Sequence, residues 1–433
     1  MSQSDPSTSQ DGGWRASAAY PWLIWSSAAL FYLYSYFHRV APSVMVSDLM
    51  RDFAVGGAVL GTLSALYFYP YALLQVPLGA ILDRWGPRRV LSAAALLCAV
   101  GTVVLSTAQS VEMAYLGRIL IGIGASFAWI GTLILVAIWF PPHRFAMLTG
   151  MTSMIGMAGA VGGQAPLAAL IGHFGWRQTL LVAAIYGVVL AVIFVAVVRD
   201  RRSPGEGGIS PLRRKGIWRS LREVAAIRQV WIVGLIVSAV SVPAIGFGGL
   251  WGVPYMVQIH GLSKASAAAC MSVLLASWGI GAPIFGWLSD RIGRRKLPLL
   301  GGAAVAFASV LTVIYVPGLP FWLDVTLFAV CGFTAGSCTI SFATAREYTN
   351  PSVSGMTLGL VNLMSIGTSA IFQSLIGWFL DLNWDGRSDA GARLYSEEAF
   401  QIAFLSLVFC GVVAIAAAAS IRETYCKPLQ ETP

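Results

Sequence analysis

Apolar residues in this chain come in long runs, not in the alternating or every-third-residue patterns of a water-facing fold. A helix that crosses lipid needs about 20 such residues. Runs of that kind recur twelve times, over about 21–46, 57–82, 90–108, 112–139, 145–171, 178–198, 230–257, 266–288, 297–316, 321–344, 354–380 and 400–421. Gly and Pro fall inside many of them, which a soluble helix resists and a membrane helix tolerates. The pattern predicts an all-α membrane protein of twelve transmembrane helices joined by polar loops.

Lys and Arg sort by loop. Of the 28, 21 fall on the side that the two ends of the chain share and five on the opposite side, while Arg39 and Arg118 lie inside spans. That excess places the first side, with both termini, in the cytoplasm. Residues 1–20, rich in Ser, Gln and Asp and without a basic leader, read as a disordered cytoplasmic tail, and 422–433 as a second tail. Between them lie two six-helix bundles, 21–198 and 230–421. The linker 199–229 opens on Ser-Pro-Gly-Glu-Gly-Gly. It then places Ile217, Trp218, Leu221, Val224 and Ala225 at helical spacing among arginines, the pattern of a short helix lying on the membrane surface.

Composition narrows the function classes. Of 433 residues, 57% are hydrophobic and 11% charged, against about 25% charged in a soluble chain, and mean hydropathy is +0.73. A soluble enzyme, a nucleic-acid-binding module and a disordered protein are excluded. The net charge of +9 is spread over loops and offers no nucleic-acid face. Six cysteines sit mostly in apolar runs with no CxxC pair, and four histidines are scattered, so neither metal nor cofactor is expected. Arginine outnumbers lysine 24 to 4 and no Asn-x-Ser/Thr sequon free of proline occurs, which points to a bacterial inner membrane.

The two halves repeat. GMTSMIGMAGAVGGQAPLAALIGHF (150–174) and GMTLGLVNLMSIGTSAIFQSLIGWF (355–379) share nine identities in 25 at an offset of 205. The segment Gly79-Ala-Ile-Leu-Asp83-Arg84-Trp-Gly86-Pro-Arg88-Arg89 is echoed by Gly286-Trp-Leu-Ser-Asp290-Arg291-Ile-Gly293-Arg294-Arg295, with the Asp offset by 207. Repeats six spans apart share orientation, so the axis relating them runs along the membrane normal.

This doubled GxxxDRxGxRR loop resembles the major facilitator superfamily over roughly residues 20–425. Arg118-Ile-Leu-Ile-Gly122-Ile-Gly124 looks like that family's RxxxGxG, and the Gly-rich fifth span looks like its interface motif without an intact Gly-Pro pair. The resemblance implies alternating access, with gating contacts made by Asp83, Arg84, Arg88 and Arg144 in one half and by Asp290, Arg291, Arg294 and Glu347 in the other. The residues themselves also allow a purely structural anchor: each Asp can cap a neighbouring helix or pair with arginine.

Charges inside spans are costly and mark function by default. Arg39 has Tyr32, Ser35, Tyr36 and Ser43 at i−7, i−4, i−3 and i+4, hydroxyls that suit a carboxylate or phosphate ligand. The alternative is an arginine that snorkels to the interface. The segment around His38-Arg39, with Tyr71 to Gly79, resembles the organic anion:cation symporter branch, where an Asp-Arg pair binds substrate. Here His38 stands at the Asp position, leaving an imidazole as the candidate proton carrier, with exchange or facilitated diffusion as the alternatives. The resemblance implies for Arg118 a structural or a proton-coupling role. Tyr67, Tyr71 and Gln75 share one face of the second span, and Trp251, Tyr255 and Gln258 one of the seventh. Trp129, Gln164, Asn362 and Gln373 are isolated polar or amphipathic groups. Of these, Tyr71, Gln75, Trp251, Tyr255 and Asn362 are candidate substrate contacts, each with helix–helix bonding as the competing role.

The reading is a monomeric secondary transporter for a small organic anion, with protons as a candidate partner. The alternatives are an amino-acid or dipeptide carrier of the same superfamily, and a transport-like membrane sensor. Clustered catalytic chemistry is lacking, so no enzyme is expected.

Overall fold

The computed structural model describes residues 19–75, 77–141, 144–199, 217–350 and 353–427. The expected tails lie mostly outside the described residues, as do 200–216 of the linker. Among the described residues, eleven helical stretches are long and apolar enough to cross a membrane, from Gly57–Leu74 through Glu397–Ser420. The twelfth is the first, Tyr20–Val40. Its Trp22, Trp25, Ser, Tyr, His38 and Arg39 side chains lower its hydropathy while leaving its length.

Spans two to six are Gly57–Leu74, Pro87–Ser106, Val111–Trp139, Met147–Phe174 and Trp176–Val197. Spans seven to twelve are Arg228–Gln258, Lys264–Ile292, Lys296–Tyr315, Phe321–Glu347, Ser354–Leu382 and Glu397–Ser420. The helix Ile217–Ala225 precedes span seven and packs on span eleven. Exposed apolar residues such as Val182, Ile185 and Val192 of span six and Phe409 and Val412 of span twelve form the outer surface, as a lipid-facing bundle requires.

Interruptions fall at matching places in the two halves. Span one gives way to a 3-10 turn at Ala41–Val44, and span seven to a π-helical stretch at Val242–Trp251. Span four breaks at Ser126 and span ten at Gly336–Thr339. Pro42 and Pro243, which lack an N–H, open the first pair.

The halves meet at the end opposite the basic loops, here called the far end. Spans two and eleven approach backbone to backbone: a Cβ at Gly377 would meet the Gly57 carbonyl, and one at Gly61 the Gln373 carbonyl. Small residues permit such contact. Asp381 of span eleven caps span two, accepting from the Gly57 and Ala58 amides at 2.9 Å each. It also accepts from the Tyr395 hydroxyl at 2.6 Å and pairs with Arg393 at 3.0 Å. Lys264 crosses to Asp48 at 2.8 Å.

Candidate functional site

Arg39 occupies the last turn of span one, where the helix's free carbonyls favour a cation. It is 4% exposed. Its guanidinium carbon lies 4.2 Å from the Tyr36 ring centroid, 5.2 Å from Tyr71, 5.9 Å from Phe68 and 6.0 Å from Tyr67, within cation–π reach. Tyr36 packs edge-on against Tyr32 at 5.0 Å, and Tyr32 lies on Trp129 at 4.8 Å. Arg39 Nε has no hydrogen-bond partner, and among the described residues no carboxylate pairs with this guanidinium. Tyr67 orders the box by donating to the Ser35 carbonyl at 3.0 Å.

Gln75 stands one turn beyond Tyr71 and is buried, its amide 3.5 Å from the Tyr71 carbonyl. Asn362 is half-buried on span eleven, in the other half. Trp251 and Tyr255 lie elsewhere. The Trp251 indole donates to the Gln373 carbonyl at 2.9 Å and its ring packs on Gly57 and Gly377 at the far end. The Tyr255 hydroxyl points to the Val313 and Ile314 carbonyls of span nine.

Arg118 is also buried, but all its nitrogens are used. Nη1 donates to the His38 carbonyl at 2.8 Å, Nη2 to Ser64 at 3.2 Å and Nε to Leu63 at 3.3 Å. It fastens spans one and two to span four. His38 turns away from Arg39: its ring lies 4.4 Å from the Tyr34 ring and its Nε2 3.2 Å from Thr102 Oγ1 of span three.

At the basic end, the second copy of the loop motif is knotted by Arg295. This guanidinium reaches Asp290 at 2.6 Å and Glu347 at 2.7 Å. Burial pulls its pKa down, but the hydrogen bonds it donates to Glu347 and Asp290 prevail and hold it above the ordinary value. Glu423 caps span nine through the Arg295 and Lys296 amides at 2.8 and 3.0 Å. Burial raises its carboxyl, yet the backbone donors hold it below the usual range. Arg291 lies over Trp287, and Arg294 is exposed. In the first copy, Arg88 donates to the Val195 carbonyl at 2.7 Å, while Arg84 and Arg144 are exposed. The Asp83 side chain lies outside what is described.

Sequence reasoning missed Arg295, Phe68 and the far-end role of Asp381. A run of basic residues does not say which one is buried, and nothing in the sequence around Asp381 marks it as the cap of another helix. Gln164 and Gln373, read as isolated amides, both clamp the π-helical stretch of span seven, donating to the Gly248 carbonyl at 3.1 Å and the Ile245 carbonyl at 2.8 Å.

Residues 28–374 match the sequence profile of the Major Facilitator Superfamily. A probable galactarate/D-glucarate transporter of Bacillus subtilis is 22% identical over 382 residues, 80% of this chain and 83% of that one. A probable sulfoacetate transporter of Cupriavidus necator is 23% identical over 309 residues, 68% and 71% of the two chains. A shorter match to an uncharacterized transporter of Bacillus subtilis, 29% identical over 173 residues, spans 40% of each chain. Among solved structures, a bacterial homologue of the lysosomal transporter Spinster, inward-facing and unoccupied, superposes with a TM-score of 0.75 at 19% identity, covering 95% of this chain and 97% of the other. A D-xylose–proton symporter gives 0.75 at 17% identity, covering 95% and 100%.

Proposed function

Starting from the Major Facilitator Superfamily, to which this chain belongs, we propose that it is a secondary active carrier of a small organic anion, with Arg39 receiving the anionic group. The observation that carries this is the buried guanidinium with an unpartnered Nε and, among the described residues, no carboxylate paired with it. An isolated charge in a span is expensive, and a bound carboxylate or sulfonate offsets that cost through paired charge-assisted hydrogen bonds. Tyr32, Tyr36 and Tyr71 supply the walls, with Gln75 and, from the other half, Asn362 as further polar contacts. Two relatives are named as probable transporters of galactarate/D-glucarate and of sulfoacetate, all of them anions, which favours the same class here. An amino acid or dipeptide would also need an anion for its amine, and Arg39 has none nearby.

Arg118 serves in this reading as the strut that holds Arg39's helix, and His38 as part of the bundle interior. The Lys/Arg bias makes the basic end cytoplasmic, in a bacterial inner membrane, so the glycine-sealed far end faces outward. The two Asp-Arg loops, Asp83 and Asp290 with their arginines, act on the cytoplasmic side in gating. The carrier works as a monomer.

Thermal-shift screening of the purified protein against organic acids, amino acids and dipeptides tests the class, since a ligand stabilises the state it binds. Stabilisation by organic acids that is lost in Arg39→Ala supports the reading. Undiminished stabilisation in that variant refutes it. Uptake by proteoliposomes separates a carrier from a sensor.

A further inference from the structure

We propose that His260 and Asp324 form a proton-binding site whose occupancy controls closure of the far end. His260 sits in the turn between spans seven and eight, next to Gly261, whose φ of +64° bends the chain there. Asp324 lies in the first turn of span ten. Their Nδ1 and Oδ2 are 3.2 Å apart, with the histidine side chain 18% exposed and the aspartate 1%. Asp324 Oδ1 has no hydrogen-bond partner.

The surroundings leave this carboxylate dependent on His260. Tyr255 of span seven faces the imidazole at 5.4 Å but spends its hydroxyl on span nine. Cys270 of span eight lies in the field of Asp324. Tyr315, ending span nine, donates to the Gln401 carbonyl, and Glu397, opening span twelve, lies beyond Tyr255. None of these groups is a cation, and Lys264 is held by Asp48. With one proton on the pair, its charges cancel. Without that proton, a buried carboxylate remains with one oxygen lacking a donor, a state that burial penalises. The partial exposure of His260 gives protons a path from the far side.

Both ends of the His260 turn are fastened to the seal. Gln258 accepts the Tyr395 amide at 2.8 Å. Tyr395 in turn holds Asp381 and, through its hydroxyl oxygen, accepts the Gly57 amide at 2.9 Å. Lys264 reaches across to Asp48. Protonation therefore holds the turn against span ten and favours a closed far end. Deprotonation loosens the turn and favours opening. The order suits a carrier that takes up a proton from outside before closing. It rests on the alternating-access reading above but not on the Arg39 assignment.

The test is a spin-label distance between Thr107 and Ser388, exposed far-end positions in opposite halves, each replaced by cysteine in full-length protein with Cys426→Ser, in lipid nanodiscs from acidic to alkaline pH. The expected result is a distance that lengthens as pH rises. Asp324→Asn, which keeps a hydrogen bond to His260 but does not titrate, should hold the distance short at every pH. His260→Gln should lose the wild-type midpoint and serves as the second variant should Asp324→Asn not fold. Arg39→Ala should keep the full pH response, so a failed anion reading leaves this result standing. A wild-type distance that ignores pH, or a pH response unchanged in both His260→Gln and Asp324→Asn, overturns the proposal.

Discussion

His38 and Arg39 are adjacent on one helix and serve opposite sides of it: the imidazole packs against Tyr34 and Thr102 inside the first bundle, while the guanidinium sits among Tyr36, Tyr67 and Tyr71. Their substitutions should separate. His38→Ala is expected to lower the unfolding temperature with ligand affinity unchanged. Arg39→Lys keeps the charge and loses the planar fork. Losing one charge-assisted hydrogen bond, about 1.5–3 kcal/mol, weakens affinity by roughly 10- to 150-fold. Paired thermal and ligand titrations of the two variants read this out. Equal affinity losses in both would break the assignment.

Arg118→Ala removes the donor to the His38 carbonyl, whose i+4 residue is Pro42 and offers no N–H, and cuts the ties to the Leu63 and Ser64 carbonyls, which keep their amide partners within span two. A buried carbonyl left without a donor costs about 1–3 kcal/mol. The variant should unfold at a clearly lower temperature in detergent, and Arg118→Lys, with one compact head for three acceptors, should fall between. A wild-type melting profile for Arg118→Ala would mean that the bracket is not what ties spans one, two and four.

Gly377→Leu places a side chain where the Gly57 backbone now lies. The far end should no longer close. Uptake should vanish, ligand-induced stabilisation should persist, and the Thr107–Ser388 label distance should be long at every pH. A short distance in this variant would show that spans two and eleven do not form the seal.

Glu423 holds the first amides of span nine, and its carboxyl is depressed by those donors. A group with a lowered folded-state pKa contributes stability that is present above its unfolded value and lost as pH falls through the folded one. Unfolding temperature should therefore decline on the acid side in the wild type and decline less in Glu423→Gln, which starts lower. Identical acid limbs for the two proteins would remove the cap from the account.

The twelve spans were readable because lipid leaves a helix no alternative and demands a minimum apolar length. Arg39 and its tyrosines were readable because residues three, four and seven apart share a helix face. Which way His38 points was not, since neighbours on a helix diverge by about 100° and only the packing of spans three and six says which face is interior. Asp381 was illegible for a different reason. Its partner amide is 324 positions away, and nothing local marks a carboxylate that caps another helix. Likewise Arg294 and Arg295 look alike in the chain, and only Glu347, brought in from span ten, makes one of them the buried knot.

The lone guanidinium at Arg39 has an electrical consequence. If Arg39 receives the anion as proposed, an empty carrier moves that positive charge through whatever part of the membrane field the site traverses, whereas a carrier loaded with a monoanion moves none there. A potential of 100 mV acts on a full elementary charge with about 2.3 kcal/mol. The voltage across the membrane therefore bears on the return of the empty site and is blind, at this residue, to the loaded crossing. A doubly charged substrate would reverse the sign of the loaded step, so the current that accompanies uptake counts the charges on the substrate together with any protons that travel with it.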